Sequence, residues 1–373
     1  MAELLAELFP FLAAFYVAAG VAVVRPHQVV LTSALGRTFD LRGPGLTFLG
    51  LMPWREVVNV QAFPLAVSED AVYRLAGDRA QEPVILEAAD LEPVELRGLP
   101  PATAGQRWFR PWVLAGKQVV VSAALPAFAA RFASQLAAIQ AAEPGARVEK
   151  AKALLLESSD VEALRALRAS TRWYALGLRV LCPLLLAALF WLLPVIVYLP
   201  ELAPMKLERA LRLLAVLDGW VLIVAGMMLW RARVPGDEMA GLLVQMAIFP
   251  PAAARALATV TRAIHARFEP AAAAAALLDG RTLLVFARRE LRRLELAAER
   301  TGALGLRAFW EARRKVWDRA LREAKTSSKE ALAPPARVAA DATRYCPICS
   351  SEYRHGESCS DCRVPLAAFP SAA

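Results

Sequence analysis

Residues 180–200 read VLCPLLLAALFWLLPVIVYLP, and this stretch sets the fold class because it contains no charged side chain. A helix needs about 20 consecutive apolar residues to cross the hydrocarbon core of a bilayer. Hydrophobic residues make up 57% of the whole chain, whereas soluble domains contain about 45–50%. The sequence therefore predicts an integral membrane protein, with residues 180–200 as its clearest transmembrane helix.

Two other apolar stretches are candidates for transmembrane helices. Residues 8–24 (LFPFLAAFYVAAGVAVV) are at the short end of the spanning range, and the tail before them, residues 1–7, contains acids but no Lys or Arg. A secretory signal needs a positive segment there, so we expect an uncleaved anchor. Residues 213–230 (LLAVLDGWVLIVAGMMLW) contain one acid, Asp218. We therefore predict about three transmembrane helices.

Basic residues flank the three stretches unevenly, and cytoplasmic flanks carry the excess of Lys and Arg. In the short connection between the second and third stretches, acids offset the basic residues. The basic residues at the other flanks are Arg25, Arg37, Arg165, Arg168, Arg172, Arg231 and Arg233. This distribution predicts a multi-pass protein of the inner (cytoplasmic) membrane, with its N-terminus outside and its soluble parts in the cytoplasm.

The segment 25–172 has the pattern of a mixed α/β domain on the cytoplasmic side. Its runs 83–97 and 112–123 are rich in residues that favour strands, and Gly and Pro separate them. Apolar residues then recur at helical spacing. These are Phe128, Phe132, Leu136 and Ile139. We predict a β-rich half followed by a helical half, large enough for a core of its own.

The start of this segment, residues 23–60, contains a V-x-P-x-x-V-V run, a Gly-Arg turn and a G-P-G-L-x-F motif followed by proline. The motif residues are Gly43, Pro44, Gly45, Leu46, Phe48 and Pro53. This pattern resembles the start of stomatin/prohibitin-type (band 7) domains, which implies a membrane-proximal, β-rich module in a family that scaffolds membrane assemblies. Beyond Phe63 the chain departs from that family, since the long charged coiled coil is missing. The other interpretation is a β-meander held against the membrane by its own apolar face.

Residues 250–325 have helical periodicity. The stretches 281–300 and 306–325 repeat apolar residues in heptad fashion on both sides of a TGALG turn, which predicts an antiparallel helical hairpin. The basic residues that we place on its outer face include Arg288, Arg289, Arg292 and Arg293. They would either contact anionic lipid or form a solvated face with weak ion pairs. The net charge of +9 is mixed with acids rather than clustered, which argues against a nucleic-acid partner.

Residues 345–366 read YCPICSSEYRHGESCSDCRVPL and hold four of the five cysteines in the chain. Two C-x-x-C pairs, Cys346 with Cys349 and Cys359 with Cys362, suit a tetrahedral Zn²⁺ with Zn–S bonds of about 2.3 Å and no open coordination position. The pattern resembles small bacterial zinc-ribbon modules. His355, between the pairs, is predicted to be a loop residue.

Disulfide bonds are the alternative for these cysteines, but the predicted cytoplasmic location disfavours them. A segment this short cannot build a core, so metal binding would supply most of its folding free energy. Residues 326–344 lack periodicity and are predicted to be a flexible linker.

The sequence names no catalytic residue and no cofactor-binding residue. It contains no H-E-x-x-H, G-x-S-x-G, Walker-type or G-x-G-x-x-G motif. The leading hypothesis is a non-enzymatic, membrane-anchored adaptor or scaffold whose zinc ribbon recruits a protein partner. The alternatives are a transport or proton-handling component that uses Asp218, since acids inside spans often handle ions, and a membrane-bound enzyme of unidentified activity.

Overall fold

The computed structural model describes residues 28–32, 38–41, 57–69, 71–74, 84–87, 94–98, 111–115, 118–122, 126–192, 195–196, 205–301, 305–362 and 364–370. The first predicted span, residues 8–24, and the G-P-G-L-x-F motif therefore lie outside the described residues. Contacts divide the chain into two units. We call residues 165–264 the helical unit; the mixed unit contains residues 30–40, 59–164 and 265–373.

Nine strands are described before the first helix, and they form three-stranded sheets of order β2-β1-β3, β4-β5-β6 and β7-β8-β9. The strands are β1 (Gln28–Thr32), β2 (Thr38–Leu41), β3 (Val57–Gln61), β4 (Leu65–Val67), β5 (Ala71–Arg74), β6 (Val84–Glu87), β7 (Val94–Gly98), β8 (Pro111–Ala115) and β9 (Gln118–Ser122). The second and third sheets are antiparallel. In the third, Trp112 pairs with Arg97 on one side and with Ser122 on the other. Each of the runs 83–97 and 112–123 therefore holds two strands.

Most of the described residues after position 125 are helical. The helices are α1 (Pro126–Gln140), α2 (Arg147–Glu157), α3 (Val161–Ala187), α4 (Leu207–Arg231), α5 (Gly236–Ile248), α6 (Ala253–His265), α7 (Pro270–Leu277), α8 (Gly280–Arg300), α9 (Arg307–Glu323) and α10 (Ser328–Leu332). Short 3₁₀ turns occupy Pro144–Ala146 and Pro250–Ala252, and Ala188–Leu192 continues α3 as a π-helix. The protein is thus mostly helical in its described part.

The core of the mixed unit forms where α1 covers the third sheet and α2. The apolar face of α1 is fully buried there, as its spacing predicts; its residues Phe128, Phe132, Leu136 and Ile139 are at most 2% exposed. Phe132 also meets the ring of Phe63 edge-on, with ring centroids 6.0 Å apart. The helix therefore joins the strand region to the rest of the unit through side chains at i, i+4, i+8 and i+11.

Helices α8 and α9 pack as an antiparallel hairpin in the same unit. Near the turn, Trp310 Nε1 donates to Thr301 Oγ1 at 2.8 Å. Further along, Phe286 and Trp317 meet edge-on with centroids 5.4 Å apart. Aromatic pairs in this arrangement contribute about 0.5–1.5 kcal/mol beyond the area they bury.

Glu269, which directly precedes α7 and is 3% exposed, has a buried carboxylate at the centre of the mixed unit. Its Oε1 accepts the backbone N–H of Phe63 at 3.0 Å and a guanidinium N–H of Arg131 at 3.4 Å. Its Oε2 lies 3.7 Å from Nη1 of Arg313. The backbone N–H of Glu269 donates to the carbonyl of Ser158 at 2.8 Å. One residue thus joins the strand region, α1, α9 and the end of α2.

The two arginines also bind backbone carbonyls around this carboxylate. Arg131 donates to the carbonyls of Phe268 and Gln61, both at 2.7 Å, and Arg313 donates to the carbonyl of Phe63. Burial lowers the pKa of Arg131 to about 10, although the charge of Glu269 acts to raise it. The guanidinium therefore stays protonated at neutral pH and remains an ion-pair partner of Glu269.

We predict that Glu269→Gln destabilises the mixed unit strongly. The substitution leaves two buried guanidinium groups without their carboxylate, and breaking a buried pair in this way costs about 3–5 kcal/mol. The measurement is native-state hydrogen exchange of the amides in α1, which reports the free energy of opening.

Glu149→Gln is the matched control for this experiment. Glu149 pairs with Lys152 at 2.9 Å on the surface of the same unit, and such exposed pairs are worth about 0.3–0.5 kcal/mol on a helix. If both variants had the same small effect, Glu269 would not be the central contact of the unit.

Two helical segments are long and apolar enough to cross a membrane: Pro144–Phe190, which contains α2 and α3, and Leu207–Arg231, which is α4. Only 22% and 28% of their most apolar windows are buried inside the protein. A core helix of a soluble protein would bury most of that surface. The large apolar side chains that α3 and α4 expose include Trp173, Leu176, Val180, Leu184, Val216, Trp220, Ile223 and Trp230.

The second predicted span agrees with the structure only in part. The sequence places it at residues 180–200, whereas α3 begins at Val161 and carries a polar N-terminal half into the apolar stretch. Pro183 lies inside the helix without ending it. Residues 193–194 and 197–200 lie outside the described part of the chain, so the far end of this span stays a prediction.

Candidate metal centre

Three short strands bring the two cysteine pairs together at the end of the mixed unit. They are β10 (Arg344–Tyr345), β11 (Glu352–Tyr353) and β12 (Ala367–Ala368), in the antiparallel order β11-β10-β12. Cys346 directly follows β10. A β-bridge between Ser358 and Pro365 closes a loop that holds Cys359 and Cys362.

Each pair forms a turn in which backbone N–H groups point at sulfur. The N–H of Cys349 donates to Sγ of Cys346 at 3.4 Å, and the N–H of Cys362 donates to Sγ of Cys359 at 3.3 Å. The first turn is closed by the N–H of Ser350, which bonds the Cys346 carbonyl at 2.9 Å. The spacing C-x-x-C thus orients both sulfur atoms of a pair to the same side.

The four Sγ atoms of Cys346, Cys349, Cys359 and Cys362 all lie within 4.8 Å of one another. Sγ of Cys349 and Sγ of Cys359 are 3.7 Å apart. A tetrahedral site with metal–sulfur bonds of about 2.3 Å has sulfur atoms about 3.8 Å apart. The cysteines form no disulfide bond. The geometry is that of a site that could bind a metal ion through four sulfur ligands.

The environments of the four thiols differ. Burial raises the pKa of Cys346. Burial acts in the same direction on Cys359, but hydrogen bonds from the Tyr353 hydroxyl and from the backbone N–H groups of Cys362 and Asp361 outweigh it and lower the pKa of Cys359 to about 6. The Tyr353 hydroxyl donates to Sγ of Cys359 at 3.2 Å. The lowered pKa favours the thiolate form of Cys359, which is the form that binds a metal.

His355 lies outside this cluster. It is exposed in the loop between the two pairs and does not belong to the group of four ligand atoms. The fifth cysteine, Cys182, is buried in α3, where its thiol donates to the carbonyl of Pro250 at 3.4 Å. Cys182 can therefore serve as a control for substitutions of the four clustered cysteines.

Arg288 of α8 fixes the cysteine-containing segment to the helical hairpin. Its Nε donates to the carbonyl of Ala331 at 2.7 Å, and its Nη1 donates to the hydroxyl of Ser350 at 2.7 Å, next to Cys349. A third bond reaches the carbonyl of Ala333. Leu296 of α8 also packs against the apolar residues around the cysteines. The segment is thus held to α8 by both polar and apolar contacts.

The segment 326–344 is more ordered than the prediction of a flexible linker implies. It contains α10, whose residue Ala331 is fully buried. The hydroxyl of Ser327 caps this helix by accepting the N–H of Glu330 at 3.2 Å. Five residues are too few to show apolar periodicity, so no sequence pattern predicts this helix.

The prediction that Arg288 and Arg293 lie on an exposed basic face is wrong. Arg288 is 7% exposed and Arg293 is 9% exposed. Arg293 pairs with Glu290 at 3.2 Å inside the unit. The reason is that α8 packs against α9 on one side and against α10 on another, so its buried surface is wider than an apolar stripe indicates.

Two other places among the described residues hold buried or half-buried ionisable side chains. Asp218 lies in α4, half-buried, and its Oδ1 has no hydrogen-bond partner among the described residues. A small cavity beside Glu269 is also lined by Ala62, Glu290 and Arg313, and it has room for about one water molecule. The carboxylates and guanidinium groups around it pair with one another, which is the arrangement of a structural core.

Comparisons with known proteins give no relative. The chain matches no protein-family model, and neither the curated proteins nor the solved structures contain a match.

We predict that Cys346→Ser abolishes four-sulfur metal binding in the whole protein. Serine replaces one soft sulfur ligand with a hydroxyl, and thiolate-selective ions then lose a ligand. The measurement is a titration with Cd²⁺ followed by the ultraviolet absorption of the Cd–thiolate bonds.

Two substitutions serve as controls for this titration. Cys182→Ser removes a thiol outside the cluster, and His355→Ala removes the histidine between the pairs. Both variants should bind one Cd²⁺ per chain, as the parent protein should. Tyr353→Phe should weaken binding by about 10-fold or more, as loss of an outer-shell hydrogen bond does. An effect of His355→Ala as large as that of Cys346→Ser would contradict the four-cysteine assignment.

Proposed function

We propose that this protein is a membrane-anchored adaptor or scaffold, in which residues 345–366 form a zinc ribbon that recruits a protein partner. The observation that carries the proposal is the convergence of four thiols within 4.8 Å of one another. Four sulfur ligands leave no position for a substrate or a reactive water, which is the property of structural rather than catalytic zinc sites. Softness of the ligands selects Zn²⁺ over Mg²⁺, Ca²⁺ or Mn²⁺.

Membrane anchoring is supported by the exposed apolar surfaces of α3 and α4. In the proposal, residues 8–24, 180–200 and 213–230 cross the inner membrane, with the N-terminus outside. The soluble parts are cytoplasmic, and the reducing conditions there keep the cysteines available to a metal. Three spans and this orientation follow from the hydropathy and charge of the sequence.

The proposed partner surface is the loop between and beside the cysteine pairs. The face of the ribbon that carries Ser350 is occupied by α8 through Arg288. The residues exposed elsewhere on the ribbon include Arg354, His355, Glu357, Ser360 and Asp361. A mixed polar surface of this kind suits a protein partner more than a nucleic acid, which would need a clustered basic face.

Contact with anionic lipid is a smaller part of the proposal. Arg288 and Arg293 are engaged inside the protein, and Arg289 and Arg292 of the same helix are half-buried. Arg292 already pairs with Glu295 at 3.0 Å. The electrostatic attraction is therefore weaker than the sequence alone indicates.

The experiment compares the proteins that co-purify with four forms of the chain from membranes. These forms are the parent protein, Cys359→Ser, Cys182→Ser and Asp218→Asn, and quantitative mass spectrometry reads their partners. We expect the same partner with the parent, Cys182→Ser and Asp218→Asn, and its loss with Cys359→Ser. All four should remain in the membrane fraction, since the substitution in the ribbon leaves the spans intact.

Two outcomes would contradict the proposal. A partner set unchanged by Cys359→Ser would show that the ribbon recruits nothing. If Asp218→Asn abolished the activity of the protein in cells while the partner still co-purified, a transport or proton-handling role would be favoured.

A further inference from the structure

A second apolar segment follows α4 almost at once. After the turn at Arg233, where the N–H of Val234 bonds the carbonyl of Leu229 at 3.1 Å, the chain forms α5 and then α6. Between residues 239 and 261 the only charged side chain is Arg255. This stretch is apolar enough for a membrane, yet a break at Pro250 and Pro251 divides it into two helices, each too short to cross a bilayer.

Helix α5 runs back along α4. A Cβ atom at Gly226 of α4 would lie 3.8 Å from Leu243 of α5. Gly226 precedes the end of α4 by five residues, and Leu243 follows the start of α5 by seven. The two helices are therefore antiparallel neighbours, and α5 leads away from the Arg231 end of α4 towards its middle.

The break between α5 and α6 lies at the depth of the middle of α4. A Cβ atom at Gly177 of α3 would be 3.3 Å from Val224 of α4, and the carboxylate of Asp218 lies close enough to the Cys182 thiol of α3 to affect it electrostatically. At a rise of 1.5 Å per residue, Asp218 is about 20 Å from Arg231 along α4. The thiol of Cys182 bonds the carbonyl of Pro250, which places the break beside the middle of α4.

The backbone N–H groups around the break at Pro250 and Pro251 are paired, as a position inside the membrane requires. Non-helical backbone is tolerated inside a membrane only where protein buries it and its polar groups are paired. Pro250 and Pro251 are buried and have no N–H to satisfy. The N–H groups of Phe249, Ala252 and Ala253 bond the carbonyls of Gln245, Phe249 and Pro250, respectively.

We infer that residues 236–265 form a re-entrant membrane hairpin, in which α5 enters the leaflet beside α4 and α6 returns to the same side. The inference rests on the proposed membrane anchoring. The occupant of its exposed face is lipid acyl chain, against Val244 at 60% exposure and Ile248 at 78%. This face continues the exposed apolar surface of α4, where Ile223 is 58% exposed.

A side-chain contact between the two helices fits this arrangement. On the exposed side of the hairpin, Arg255 of α6 donates to the side-chain carbonyl of Gln245 of α5 at 3.0 Å, so α6 runs back along α5. Asp237 and Glu238 lie in the first turn of α5, and Arg262 lies in the last turn of α6. Both ends of the hairpin thus carry charge and lie on the side of Arg231, as a re-entrant segment requires.

The test uses spin labels on single introduced cysteines in the full-length protein. Each of V244C, I248C, I223C, D237C and V338C is labelled in detergent with its metal bound, reconstituted into lipid nanodiscs, and measured by power saturation with oxygen and with a nickel chelate. The parent protein, treated in the same way, gives the background. Oxygen concentrates in hydrocarbon and the nickel chelate stays in water, so the two collision rates identify lipid, water or protein around each label.

We expect labels at 244 and 248 to collide with oxygen far more than with nickel, as the label at 223 does. Labels at 237 and at 338, where Val338 is 80% exposed, should favour nickel. If 244 and 248 favour nickel while 223 favours oxygen, the hairpin is wrong and the membrane anchoring stands. Low collision rates with both reagents at 244 and 248 would show that protein, and not lipid, covers this face. That result would also overturn the inference. If 223 itself favours nickel, the proposed anchoring fails.

Discussion

A single buried carboxylate, that of Glu269, determines how the mixed unit is assembled. Removing a carboxylate from water is expensive, and the cost is recovered only when cationic and N–H partners surround it with good geometry. Those partners, Arg131, Arg313 and the N–H of Phe63, come from segments far apart in the chain. The unit therefore cannot place α1, α9 and the strand region independently, because each carries part of the same ionic contact.

The orientation of the candidate metal centre depends on this arrangement through α8. Helix α9 packs on α8, and Arg288 of α8 bonds the carbonyls of Ala331 and Ala333 at the end of α10 and the hydroxyl of Ser350. The cysteine segment is consequently presented in one orientation rather than on a free tether. A fixed orientation reduces the entropy cost of binding a partner, which would favour the proposed adaptor function.

The sequence predicted best where local spacing alone determines geometry. The C-x-x-C pairs bring their sulfur atoms together because each pair is one tight turn, and the spacing of Phe128, Phe132, Leu136 and Ile139 identifies the buried face of α1. The partners of Glu269 could not be predicted in this way, because ion pairs between distant segments of a chain follow no periodic sequence pattern. Arg288 was interpreted as a surface residue because charge usually marks a surface.

Short elements were the other source of error. Helix α10 has five residues and helix α5 has thirteen between a proline and a double proline, so neither shows a sustained period. The sequence pattern predicts a helical region from residue 250 onward and assigns no element to residues 231–249. The position of the break follows from tertiary contacts, those of Leu243 with α4 and of Pro250 with α3. Such contacts leave no pattern in the sequence.

X-ray absorption at the zinc edge of the purified full-length protein tests the central claim most directly. The account predicts one zinc per chain with a single shell of four sulfur atoms at about 2.3 Å. A shell containing nitrogen or oxygen ligands, or protein that is free of zinc and has Cys346, Cys349, Cys359 and Cys362 joined in disulfide bonds, would contradict it.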